Sequence, residues 1–159
     1  LQGGSHLLLR VDIDAVRKER LENLGETIRR DFRTKKIRFS ALVVTDDAVS
    51  LQLRDKIDGP TAQQIFSDLG SDYTPARDGN VYQIRLNDAG LTLMQTRTVD
   101  QSIEIIRRRL DPEGTKEPII QRQGLDRILV QLPGVDEPEA VKRLLGRTAK
   151  LTFQLVTQA

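Results

Sequence analysis

Cysteine is absent from the 159 residues, so the chain carries neither a disulfide frame nor a thiolate zinc site, and its single histidine, His6, cannot build an imidazole cluster. Most metal chemistry is excluded with them. Aromatic residues make up 4% of the chain, which predicts an aliphatic core. No apolar run approaches the ~18 residues of a membrane span, and no basic, apolar, small-residue leader opens the sequence. Charge of one sign is also lacking. With 25 basic against 23 acidic residues the net charge is +2, which gives no strong electrostatic footprint of a nucleic-acid or lipid-surface binder. What remains is 38% hydrophobic and 30% charged, a globular composition long enough for one ordinary domain or two small ones. The abrupt ends suggest a segment cut from something larger.

The apolar residues fall into two periods. Leu7, Leu8, Leu9 and Val11 suit a strand, whereas Leu21, Leu24, Ile28 and Phe32 recur at three- and four-residue steps behind Asp14, a candidate N-cap. Residues 37–45 and 48–54 are β-rich runs joined by Asp46 and Asp47, a hairpin. Pro60 and Gly70 bracket a short helix, and strands 73–77 and 81–86 flank the turn Asp78-Gly79-Asn80. Asn87 or Asp88 can cap a long helix whose stripe is Val99, Ile103, Ile106 and Leu110, ended by Pro112 and Gly114. Strands 119–123 and 127–132 then flank Gly124-Leu125-Asp126. Asp136 and Pro138 open a short helix carrying Val141, Leu144 and Leu145, and 151–156 reads as a last strand. The order predicts an α+β fold of two ferredoxin-like βαββαβ units in tandem, with antiparallel sheets covered by helices on one face. Their expected limits are 1–86 and 87–159, sharing the strand 81–86.

Candidate chemistry is sparse. Asp12 and Asp14 form a D-x-D pair, but without further oxygen ligands they read as a strand-end turn and a helix cap rather than a cation site. Ser5 and His6 are strand neighbours and point to opposite faces, so they cannot form a nucleophile and its base. Arg107, Arg108 and Arg109 could neutralise phosphates, yet a basic last turn also complements the helix dipole. Gly3-Gly4 lacks the surrounding pattern of a phosphate-binding loop. No catalytic, cofactor-binding or metal residue emerges, which points to a binding or mechanical module.

A longer string is more specific. Gln101 to Arg109, then Glu117 to Gly134 with the run R-Q-G-L-D-R-I-L-V-Q-L-P-G, resembles the SecD family of the bacterial protein-export machinery. Residues 144–153, LLGRTAKLTF, extend the likeness, and Leu1-Gln2-Gly3-Gly4 resembles the D-L-x-G-G motif that follows the family's first membrane span. Gly4-Ser5-His6 therefore reads as native sequence, cut just after the motif's Asp. Pro112 and Thr115-Lys116 depart from the pattern in the link between helix and strand.

The resemblance implies the base portion of the first large periplasmic domain, on the outer side of the inner membrane, attached through transmembrane helices outside this chain. It implies SecF, the SecYEG channel and unfolded preprotein as partners, no nucleic acid and no cofactor. The activity would be help with proton-motive-force-dependent translocation and release of preproteins, with no enzymatic step. The motif residues it marks are Gly3, Gly4, Gln121, Arg122, Gln123, Gly124, Asp126, Arg127, Leu132, Pro133 and Gly134; it marks no preprotein-contact residue. Two rivals are a soluble ligand-sensing tandem module and an RNA-binding one. A small-molecule exporter of the RND type is a related alternative.

Overall fold

The computed structural model describes residues 5–134, 138–146 and 151–155. Its elements are β1 (Ser5–Val11), α1 (Ile13–Thr34), β2 (Phe39–Val44), β3 (Val49–Leu53), α2 (Gly59–Asp68), β4 (Tyr73–Asp78), β5 (Val81–Leu86), α3 (Asp88–Leu110), β6 (Ile119–Gln123), β7 (Arg127–Leu132), α4 (Pro138–Leu145) and β8 (Leu151–Leu155), with a 3-10 turn at Lys56–Asp58. Every expected strand is present, and the α+β class with two antiparallel sheets holds.

The sheets are not divided at residue 86. One has the order β6-β7-β1-β8, the other β2-β3-β5-β4. The compact units are accordingly Leu1–Ile13 with Gln95–Ala159, and Asp14–Met94, which differs from the expected 1–86 and 87–159. The reason is non-local pairing. Leu7, Leu9 and Val11 alternate on β1, and Leu7 and Leu9 sit opposite Val130 and Ile128 of β7, so the two inward rows meet on one face. Strand β5 is not shared, because β3 and β4 already occupy both its edges.

The first unit is therefore a complete ferredoxin-like order, β1-α3-β6-β7-α4-β8, in which Asp14–Met94 is inserted between the first strand and Gln95 of α3. Its core is aliphatic, as expected. Leu7, Leu9, Val11, Ile128, Val130 and Leu132 from the sheet meet Val99, Ile106, Leu110, Val141 and Leu145 from the helices, all at most 2% exposed. Burying each such side chain contributes about 1.5–3 kcal/mol.

The second unit runs α1-β2-β3-α2-β4-β5, a helix and hairpin twice over, with the hairpins meeting at β3 and β5. Its core departs from the aliphatic expectation. Phe32, Phe66 and Tyr82 are buried, and with Phe39 they form a chain of rings with centroids 5.2–5.8 Å apart. Composition counts aromatics without saying where they go. Asp14 lies inside the first turn of α1, not at its cap, and pairs with Arg17 at 3.2 Å. Asn87 does cap α3: its Oδ1 accepts from the Gly90 N–H at 2.8 Å, while its own N–H donates to the Asp72 carbonyl at 2.9 Å.

Candidate functional site

Among the family-motif positions, Gln121 to Gly134 form one continuous feature, the β6–β7 hairpin and the turn after it. Period-2 alternation makes the strands: Ile128, Val130 and Leu132 point into the core, and Arg127 and Gln121 lie on exposed positions. The register runs unbroken from Ile119↔Gln131 to Gln123↔Arg127. Between them Gly124 takes φ +65°, a left-handed conformation that suits a residue without Cβ. Leu125 stands 68% exposed at the tip. The carbonyl of Asp126 accepts from the Val11 N–H at 2.7 Å, which ties the turn to the end of β1. Arg122, at the outer edge, forms an ion pair with Asp100 of α3. Leu132 closes the buried row, and Pro133 and Gly134, the latter at φ +84°, form the exposed turn after β7. Gly3 and Gly4 lie outside the described residues, as does the candidate cap Asp136.

One ordered group had no place in the sequence expectations. The carboxylate of Asp111, directly after α3, accepts the backbone N–H groups of Thr115 (2.8 Å), Lys116 (3.0 Å) and Glu117 (3.2 Å). The Lys116 hydrogen bond, with those from its neighbours, holds the carboxyl below its ordinary value, against a smaller opposing effect of desolvation. This is the link marked as departing from the family pattern. An acidic residue at a helix C-terminus opposes the dipole, so its presence there was the available signal that it serves the loop instead.

The other candidates resolve into structure. Arg109 donates to the Leu145 carbonyl at the end of α4, satisfying an orphan helix acceptor. Arg108, with Asp100, Gln101, Glu104 and Ile105, lines a shallow concavity of about 460 Å³ on α3. Among the described residues no group of three His, Asp or Glu side chains converges on a metal position. His6 is half-buried opposite Gln131. The aromatic residues Phe32, Phe66 and Tyr82 face inward, so they offer no stacking platform of the kind RNA-binding sheets present. No helix among the described residues is long and apolar enough to cross a membrane.

Residues 99–158 match the family described as "Protein translocase subunit SecDF, P1 domain, N-terminal". Similarity to individual proteins extends over almost the whole chain. "Protein translocase subunit SecD" of Rickettsia bellii is 40% identical over 158 residues, 99% of this chain and 31% of the relative. This chain belongs to the SecD family. The SecD subunits of Acetobacter pasteurianus (37% over 168 residues, 98% of this chain and 31% of the relative) and Pseudomonas aeruginosa (32% over 162 residues, 99% and 26%) are similar over the same stretch. The chain thus spans about a third or less of the SecD relatives it matches, and the matched P1 segment takes in most of α3, the β6–β7 hairpin, α4 and β8.

Proposed function

We propose that this chain is the base portion of the periplasmic P1 domain of a SecD subunit, and that it assists the translocation and release of unfolded preproteins at the outer face of the inner membrane. The proton-motive force acts on membrane helices outside this chain, and SecF and the SecYEG channel are the partners. The observation that carries the reading is 40% identity over 158 residues to a protein named as a translocase subunit. The arrangement of charged groups accords with it. Arg122–Asp100 and Arg109 on Leu145 each hold one element to another, and Asp111 with its three amides orders the loop after α3. These groups serve the fold, and the contribution to export is binding and movement. A polypeptide that binds two orientations of the domain unequally shifts their populations, and only that difference in affinity can do so.

An antibody against this chain, applied to source cells, tests the reading. A polypeptide much longer than 18.0 kDa, extracted only by detergent and cleaved by protease added from the periplasmic side, is expected. A free soluble chain of about this size would overturn it.

A further inference from the structure

The net charge of +2 hides an uneven distribution. In the Asp14–Met94 unit, Arg33, Lys35, Lys36 and Arg38 follow one another around the end of α1. The Arg54 N–H donates to the Arg38 carbonyl at 3.1 Å, which brings Arg54 and Lys56 to the same end of the sheet. All six side chains are exposed, and none has an acidic partner within 4 Å among the described residues. Within 32–38 and 54–57 the only acid is Asp55, whose carboxylate accepts the Ile57 N–H at 3.1 Å. A basic last turn complements the helix dipole, which accounts for Arg33 but not for Arg38, Arg54 or Lys56. Two further features mark this end. Lys36 stands at φ +58°, its N–H on the Arg33 carbonyl at 3.2 Å and the Ile37 N–H on the Phe32 carbonyl at 2.8 Å. This is the left-handed position ending a helix, where glycine is least strained, so lysine there keeps a charge against local backbone preference. Ile57, beside Lys56, is 79% exposed, more than any other large apolar side chain among the described residues.

We propose that this end of the unit docks on the surface of an anionic phospholipid bilayer, with the six cations on lipid phosphates and Ile57 in the apolar layer beneath them. The proposal rests on the export reading, under which a membrane lies within reach of this chain. Cations and Ile57 together choose the occupant. A nucleic acid would need rings for its bases to stack on, and no aromatic is among the exposed large apolar side chains of the described residues. A second copy placed face to face sets cation against cation. Placed head to tail, it offers Asp46 and Asp47, which Lys18 and Arg85 already engage, or Asp111, whose carboxylate three amides already hold. A further segment of the longer chain would have to gather several carboxylates and an apolar seat for Ile57 in one place. A bilayer presents phosphate above hydrocarbon at every point of its surface.

The test is sedimentation of the 159-residue chain with vesicles of phosphatidylcholine alone or of equal parts phosphatidylcholine and phosphatidylglycerol. Binding to the anionic vesicles is expected to be at least about a hundredfold tighter and to vanish in about 1 M salt, where screening acts over about 3 Å. Lys36→Gly should weaken it about three- to fivefold without lowering the melting temperature, since glycine suits the left-handed φ. Ile57→Ser should weaken vesicle binding by about the same factor and leave binding to soluble polyglutamate unchanged. Arg107→Gln, in the basic last turn of α3, should change neither. The sequence has no cysteine, so Ile57→Cys takes a single nitrobenzoxadiazole label, whose emission should shift to the blue on anionic vesicles. Equal binding to the two vesicle types, full binding by Lys36→Gly, or a blue shift at a label on Leu125→Cys with none at residue 57 overturns the proposal. So does an Ile57→Ser variant that binds vesicles undiminished, which would assign the cations to an acidic polypeptide, and so does self-association without vesicles that Lys36→Gly abolishes. Each of these failures leaves the export reading standing, because the antibody experiment above tests that reading independently.

Discussion

Gly90 sits in the first turn of α3, where alanine would ordinarily stabilise a helix by about 0.5–1 kcal/mol. Here the sign reverses. A Cβ on residue 90 would lie 2.5 Å from the Asp72 carbonyl oxygen and 3.2 Å from its carbon, and backbone cannot swing aside as a side-chain tip can. That same carbonyl accepts the Asn87 N–H at 2.9 Å, while Asn87 Oδ1 caps the Gly90 N–H, so relieving the clash pulls the cap apart. Overpacking costs about 1–3 kcal/mol and a broken, part-buried hydrogen bond about 1–3 more, which leaves Gly90→Ala destabilised by about 1–5 kcal/mol after the helix gain. At this size each kcal/mol lowers Tm by roughly 2–4 °C. Gly25→Ala is the control. Its Cβ would meet side-chain atoms alone, Val44 Cγ2 at 3.2 Å and Leu42 Cδ2 at 3.5 Å, so its net change should stay within about 1 kcal/mol. The two tyrosines, Tyr73 and Tyr82, both belong to the Asp14–Met94 unit, so urea melts followed by tyrosine fluorescence read the unit in question. Equal stability of the two variants would refute the argument from the Asp72 carbonyl.

Gly124→Val should destabilise the β6–β7 hairpin by about 1–2 kcal/mol in a urea melt followed by far-UV circular dichroism, while Gly124→Asn, which tolerates the left-handed region, should cost less than half of that. Leu9→Ala removes a fully buried side chain opposite Ile128 and should cost about 2–5 kcal/mol by the same melt. The Arg122–Asp100 pair is partly exposed, so a double-mutant cycle with Arg122→Ala and Asp100→Ala should return a coupling of about 1 kcal/mol or less that shrinks with added salt. For Asp111 the folded-state carboxyl lies below its ordinary value, so the loop contact is fully present above the ordinary carboxylate value and is lost as the pH falls through the folded one. Exchange at the amides of Thr115, Lys116 and Glu117, corrected for intrinsic rates, should accelerate over that acid range, and Asp111→Ala should show the acceleration already at neutral pH.

The strands were readable because alternation and turn residues are local signals. Gly124-Leu125-Asp126 between two β-rich runs places β6 and β7 within the limits observed, and Asn87 before an apolar stripe marks the start of α3. Partner choice was not readable. Leu7, Leu9 and Val11 announce a half-buried strand but would match any neighbour with an alternating row, so chain order assigned β1 to the nearest hairpin when its partners are β7 and β8. The aromatic core escaped for a related reason: Phe32 and Phe66 look like ordinary members of two helix stripes, and only the fold brings them to Tyr82. At the candidate site, periodicity gave the hairpin, whereas its importance came from resemblance alone. The Asp100–Arg122 pair joins residues with no local relation. Gly90, the most constrained for space of the glycines among the described residues, resembles any tolerated glycine inside a helix until Asp72 is placed beside it.

The insertion of Asp14–Met94 into the first unit sets an order of assembly. During synthesis Ser5 to Val11 leave the ribosome before Arg127 to Leu132, which supply their ladder, and every residue of the inserted unit emerges in between. The helix-and-hairpin pairs of that unit are local and free to close meanwhile. Leu7, Leu9 and Val11 then lack their β7 partner until Leu132 has emerged, an interval in which an unpaired apolar strand favours aggregation. A slow step between β1 and β7 would prolong it, whereas early closure of Asp14–Met94 shortens the loop that β1 must bridge to reach β7.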